Sequence, residues 1–114
     1  MISVVILTKD GERYLEKLIK TIFGQELDES FEIICIDSGS KDRTVEICKK
    51  FSVEVFSIKD FNFNHGLTRN FGIGVAKGRY IILLSQDALP FDKNWMKNLI
   101  RNLNEDEKDR KSVV

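Results

Sequence analysis

Apolar and polar positions alternate in blocks along this chain, each block the length of one secondary-structure element. Ile2 to Leu7 is a β-branched apolar run broken by Thr8, Lys9, Asp10 and Gly11, the pattern of a buried strand ended by turn chemistry. From Glu12 the period becomes helical: Leu15, Leu18, Ile19, Ile22 and Phe23 share one face, with Asp10 placed to cap the start and Gly24 to stop it. Phe31 to Ile36 predicts a second strand, ended by Asp37, Ser38, Gly39 and Ser40. A second helix follows, capped by Ser40 or Asp42, with Val45, Cys48 and Phe51 turned inward. Val53 to Ile58 is short and carries Glu54, so it is expected at a sheet edge.

The second half repeats the alternation. Lys59 to Asn64 has turn chemistry and two aromatics, Phe61 and Phe63, and reads as a functional loop. Asn64 can cap a third helix in which Leu67, Phe71 and Val75 recur at i, i+4 and i+8. Gly72 and Gly74 cost this helix about 1 kcal/mol each relative to alanine, which points to close backbone approach. Tyr80 to Leu84 is a continuous apolar run, a strand buried on both faces, and it drives straight into Ser85, Gln86 and Asp87. Asp92 then caps a last helix through Trp95, Met96, Leu99, Ile100 and Leu103. The polar run from Asn104 has no apolar period, so residues 1–103 form the expected domain and 104–114 a solvated tail.

Strand and helix in turn define an α/β class, a Rossmann-like three-layer sandwich with a mainly parallel sheet and right-handed crossovers. The strand ends then share one rim, gathering Thr8 and Asp10, Asp37 with Ser38 and Gly39, the loop before His65, and Ser85 with Gln86 and Asp87. Open α/β sheets place their ligands there. A carboxylate such as Asp87 is a hard oxygen ligand suited to Mg²⁺ or Mn²⁺ carrying a substrate phosphate, although it can equally start the turn before Pro90. DSGS serves as readily for a cap and tight turn as for a ligand, His65 as a cap or core residue, and Arg69 as a solvated charge.

Composition narrows the function classes. The 114 residues carry 18 basic and 18 acidic side chains, so no net field recruits nucleic acid or anionic membrane. Cys35 and Cys48 sit in apolar runs, which favours reduced core thiols and a cytoplasmic setting over a disulfide scaffold. No stretch approaches the ~20 apolar residues of a membrane span. GxGxxG, a Walker-type GxxxxGK[ST], zinc spacing and a GxSxG elbow are all missing, which argues against dinucleotide, P-loop, zinc and hydrolase chemistry.

The succession SVVILTKDGERYLEKLIKTI, IICIDSGSKDRT and FNFNHGLTRNFGIGVAKGRYIILLSQDALP resembles the family 2 inverting glycosyltransferases of GT-A fold, above all their rhamnosyltransferase-type members with an SQDA acidic motif. The resemblance implies that Thr8, Asp37 and Ser38 line a nucleotide pocket, Asp37 accepting from the pyrimidine N–H. It implies that Arg69 reaches the base or phosphate side, that Gln86 contributes to nucleotide binding, and that Asp87 holds Mg²⁺ or Mn²⁺ on the diphosphate. The expected partners are a UDP- or dTDP-sugar donor and a saccharide or lipid-linked acceptor, with peripheral membrane association left to a full-length enzyme. The motif departs from the Asp-rich DxD of many members, leaving one carboxylate. In the family the acceptor-binding half and its catalytic base follow this motif, so the chain is expected to be the donor-binding part, with a non-catalytic nucleotide-sugar-binding module as the alternative. On this reading Asp37→Ala weakens binding and leaves stability nearly unchanged.

Overall fold

Alternate residues of the central strand go to opposite faces, and both faces are apolar. In the computed structural model, which describes residues 1–58, 65–88, 92–101 and 111–113 (side chains of His65 and 111–113 excepted), β1 (Ile2–Thr8) sends Ile2, Val4 and Ile6 to one side and Val5 to the other. β1 lies between β2 (Phe31–Asp37) and β4 (Tyr80–Ser85), parallel to both, with Ile2 opposite Phe31 and Tyr80. β3 (Glu54–Ser57) pairs with β2 at the edge, as its charge and length predict. β5 (Lys111–Val113) pairs with β4, giving the order β3-β2-β1-β4-β5 with every pairing parallel.

The β5 strand corrects one expectation: residues 111–113, read as part of a solvated tail, add a strand to the sheet. Three residues in a polar run carry no period, while the open edge of β4 offers their backbone groups hydrogen-bond partners.

Three helices cover one face: α1 (Glu12–Phe23), α2 (Thr44–Lys50) and α4 (Trp95–Arg101). Leu15, Leu18, Ile19 and Ile22 of α1 are fully buried against Ile2, Val4, Ile6, Ile33 and Ile82, and burying each such side chain stabilises by about 1.5–3 kcal/mol. Cys35 and Cys48 meet within this core, both free and buried. The hydrogen bond to Cys48 and burial push the Cys35 thiol well above its ordinary range. Phe23 departs from the expected stripe, being 52% exposed with its ring against Phe31 at 6.0 Å.

Two cap expectations change as well. Asp10 does not cap α1, whose N-cap is Gly11; with φ at 48°, Asp10 turns its carboxylate to the Lys41 amide at 2.7 Å. Ser40 bonds Asp37 instead of capping α2, while Asp42 accepts from the Thr44 amide at 2.9 Å. Asp92 accepts from the Asn94 amide, and the amide of Met96 in the first turn of α4 is capped from a distance by Gln25 Oε1 at 3.0 Å.

The other face carries α3 (His65–Val75). It meets the sheet through Gly72 and, just past its end, Ala76, with Ile73 and Val75 partly buried against the core. A side chain at 72 would place its Cβ 2.7 Å from Val5 Cγ1, so glycine sets the helix-to-sheet distance as expected, whereas nothing lies within 4 Å of such a Cβ at Gly74. Of the stripe Leu67, Phe71 and Val75, Val75 packs against the core as expected, but Leu67 and Phe71 are 61% and 41% exposed, the Phe71 ring standing edge-on to Phe56 at 5.9 Å. The loop with Phe61, Phe63 and the Asn64 cap lies outside the described residues. No described helix is long and apolar enough to cross a membrane.

At the amino ends of the strands a half-buried polar knot ties the α3–β4 turn. Ser3 Oγ donates to Glu32 Oε2 at 2.5 Å and accepts from the Gly78 amide at 2.7 Å, while the Lys77 amide donates to the same carboxylate at 2.8 Å.

Candidate functional site

The chain leaves β1 through α1 to β2 on one side and later returns to β4 on the other, so the carboxyl ends of β1 and β4 flank a topological switch point. Crevices of this kind hold ligands in open α/β sheets. A cavity of about 430 Å³ opens here, floored by Leu7, Leu83 and Leu84 and walled by Thr8, Lys9 and Ser38 on one side and by Ser85, Gln86 and Asp87 on the other. Thr68 and Arg69 reach it from α3 and Tyr14 from α1. Its size is that of a site for a cofactor-sized molecule.

Of the expected nucleotide contacts, Thr8, Ser38, Arg69 and Gln86 line this cavity, and Asp37 stands behind its wall at 2% exposure. Thr8 Oγ1 donates to Asp37 Oδ1 at 2.8 Å, Ser40 Oγ to the same oxygen at 2.5 Å, and the Ser40 amide to Oδ2 at 2.9 Å. Three donors satisfy most of a buried carboxylate, which would otherwise be costly. Among the described residues one lone-pair position of Oδ2 remains open to a further donor. The Asp37 carboxylate therefore builds the β2–α2 turn, a structural part that the resemblance did not imply.

Lys9 escaped notice in the sequence because it looked like turn punctuation. Its Nζ donates to the carbonyls of Ser38 and Gly39 at 3.0 and 3.2 Å and straps the first turn to the second. Gly39 holds φ at +80°, the left-handed region where glycine carries no Cβ penalty. Behind the strap the Gly11 amide donates to Thr44 Oγ1 at 2.8 Å, and Thr44 Oγ1 to Asp42 Oδ1 at 2.5 Å. Burial raises the pKa of the Asp42 carboxyl, but hydrogen bonds from Thr44 and from the Glu12 amide outweigh it and hold the group below the usual carboxylate range. Tyr14 was also missed. Its signal was an aromatic off the apolar stripe of α1, exposed at the cavity mouth.

On the β4 side Gln86 is spent on the protein. Its Oε1 accepts from the Lys9 amide at 2.8 Å and its Nε2 donates to the Lys9 carbonyl at 2.9 Å. Asp87 is exposed; Oδ1 accepts from Ser85 Oγ at 2.9 Å, and no described residue engages Oδ2. No group of three metal-ligating side chains occurs among the described residues. Mg²⁺ needs no such cage, being bound through one or two carboxylates together with substrate phosphates and waters, and a solvent-facing carboxylate in a cavity of this size fits that donor set. Arg69 stands exposed across the cavity, a cation suited to phosphate or base oxygens.

Fold and site together define an open parallel α/β domain of GT-A type with a polar crevice at its switch point. Residues 3–110 match the family model described as Glycosyl transferase family 2, and the chain belongs to that family. It is similar to the O-antigen chain rhamnosyltransferase RfbN of Salmonella typhimurium, 44% identical over 73 residues, 60% of this chain and 23% of that protein. TarS of S. aureus in complex with UDP-GlcNAc superposes with a TM-score of 0.78 at 23% identity, over 88% of this chain and 30% of that one. The mannosyltransferase PcManGT of Pyrobaculum calidifontis in complex with GDP-Man and Mn²⁺ gives 0.79 at 17%, over 92% and 32%. At those identities the two structures speak for the fold. The chain spans roughly a quarter to a third of the length of these proteins.

Proposed function

We propose that this chain is the donor-binding part of an inverting glycosyltransferase that takes a UDP- or dTDP-linked sugar and glycosylates a saccharide or lipid-linked acceptor in glycan synthesis. The observation that carries the reading is one switch-point cavity with the Thr8–Asp37 pair at one wall and the exposed Asp87 carboxylate at the other. The family membership supports it, as do the UDP-GlcNAc and the Mn²⁺ held by the two structural neighbours. The remaining acceptor position of Asp37 suits the imide N–H of uracil or thymine; cytosine brings no such donor, and a buried polar group left unpaired costs about 1–3 kcal/mol. Asp87, with Ser85 beside it, would hold Mg²⁺ or Mn²⁺, which as a Lewis acid stabilises charge on the departing diphosphate. Arg69 and the apolar floor hold the donor and keep water away from it.

None of the described cavity carboxylates suits the general base. Asp87 is committed to the diphosphate side, and the Asp37 carboxylate to Thr8, Ser40 and the nucleobase. On this reading the general base lies outside the described cavity carboxylates, general-base help contributing typically ~10²–10⁴-fold.

Calorimetric titration of the 114-residue chain with UDP, dTDP and CDP, in Mn²⁺ and in EDTA, tests the donor reading. UDP or dTDP binding strengthened by Mn²⁺ and exceeding that of CDP is the expected result. Equal affinities for all three nucleotides, or identical affinities with Mn²⁺ and EDTA, would overturn it.

A further inference from the structure

The backbone pairing of β1 and β4 ends at Leu7 opposite Ser85. Immediately beyond it the Gln86 carboxamide bonds both the amide and the carbonyl of Lys9, at 2.8 and 2.9 Å. A carboxamide carries the donor and acceptor of a peptide group, so the side chain supplies one more rung where the two strands part. The rung has a built seat. A Cβ at Gly11 would come within 2.6 Å of Gln86 Cδ and 3.3 Å of its Cβ, so the amide rests where residue 11 has no side chain.

The groups joined by this rung are the two halves of the site. Lys9 follows Thr8, which is bonded to Asp37; Gln86 precedes Asp87, whose carboxylate is braced by Ser85. From these contacts, and resting on the donor-binding reading above, we infer that Gln86 is a positioning residue: its clamp on Lys9 fixes the spacing between the nucleoside side and the diphosphate side of the cavity. A ligand that touches only one side gains nothing from a fixed spacing. One that bridges both sides gains the entropy of a preorganised site. Gln86 therefore acts on the coupling between metal and nucleotide, not on either alone. Supporting residues around metal ligands are typically worth ~10–100-fold in affinity.

The test is calorimetric titration of the 114-residue chain with UDP in Mn²⁺ and in EDTA, and with UMP in EDTA, for the unmodified protein, Gln86→Leu, Gln86→Glu and Gly11→Ala. Gln86→Leu loses both bonds and is expected to lose ~10–100-fold in affinity for UDP with Mn²⁺, with UMP binding unchanged. Gln86→Glu keeps the acceptor for the Lys9 amide but faces the Lys9 carbonyl with a carboxylate, so its loss should fall between. Gly11→Ala displaces the amide from the opposite side and should copy Gln86→Leu, which keeps the test open if one variant fails to fold. A folded Gln86→Leu that retains the full Mn²⁺ gain overturns the clamp, and a parallel loss of UMP affinity makes Gln86 a direct nucleoside contact instead. If the unmodified chain shows no Mn²⁺ gain, the donor reading fails. Hydrogen exchange at the Lys9 amide then judges the clamp separately: faster exchange in Gln86→Leu upholds it, unchanged exchange overturns it.

Discussion

The two ends of the β-sheet are built from the same kinds of polar group and left in opposite conditions. At the amino end Ser3 Oγ, Glu32 Oε2 and the amides of Lys77 and Gly78 bond one another across the α3–β4 turn. At the carboxyl end Thr8, Asp37, Ser40, Lys9 and Gln86 form a similar lattice, but it stops short of saturation. An Asp37 acceptor position, Asp87 Oδ2 and the Arg69 guanidinium remain without partners among the described residues. The difference teaches where to look: polar groups that satisfy each other hold a fold, and polar groups that converge on a cavity unsatisfied await a ligand.

The variant that should disturb this contrast most is Asp37→Ala, because Asp37 belongs to both conditions. Three donors lose one acceptor group, but Thr8 Oγ1 keeps the Ile36 carbonyl within reach and half-buried Ser40 can turn to water; the net loss expected is that of about one hydrogen bond to a charged group, about 1.5–3 kcal/mol, together with weaker UDP binding. Chemical denaturation read beside calorimetry would separate the two. This revises the expectation from the sequence, where Asp37→Ala left stability nearly untouched. A variant as stable as the unmodified protein would show that the lattice around Asp37 contributes little.

Gly78→Ala probes the amino end. Its Cβ would stand 2.7 Å from Met1 O and Ser3 N, both backbone atoms that cannot turn away, and overpacking of this kind costs about 1–3 kcal/mol. Denaturation should show that loss, with UDP affinity of the folded protein unchanged. Altered affinity would mean that the ends communicate.

Asp87→Ala is the converse. An exposed side chain with one described bond should change stability by no more than about 0.5 kcal/mol, while the strengthening of UDP binding by Mn²⁺ disappears. Titrations of the variant in Mn²⁺ and in EDTA should therefore coincide.

The smallest effect is expected at Asp42, behind the Lys9 strap. A carboxyl with a folded pKa below its unfolded value stabilises above the unfolded value and loses that contribution as pH falls through the folded one. The stability difference between the unmodified protein and Asp42→Asn should thus be full near neutrality and shrink in acid, below the ordinary Asp range near ~3.9. Denaturation curves over a pH series check the sign.

How much of this was legible in the sequence depended on whether a feature was local. The β1 run, the α1 stripe from Leu15 to Ile22 and the edge position of β3 follow from periodicity and charge within a few residues of chain. The inner face of α3 did not, because it is made by small size: Gly72 and Ala76 touch the sheet while Leu67 and Phe71, the residues a hydrophobic period selects, face outward. The cavity residues were legible as strand-end punctuation and by resemblance, since chain order alone brings strand ends to one rim. Their bonds were not. Gln86 and Lys9 are 77 residues apart, and nothing in either segment announces that an amide expected to touch nucleotide would grip a backbone instead.

The central claim, that the carboxyl end of the sheet is the ligand end and Asp87 its metal position, is tested most directly by paramagnetic broadening. Mn²⁺ added to the isotopically labelled chain with saturating UDP should broaden the amide resonances of Ser85, Gln86, Asp87 and Lys9 and leave those of Ser3, Gly78 and Arg79 sharp. Asp87→Ala should abolish the effect. Broadening centred on Ser3 and Gly78, or spread evenly over both ends, would contradict the account.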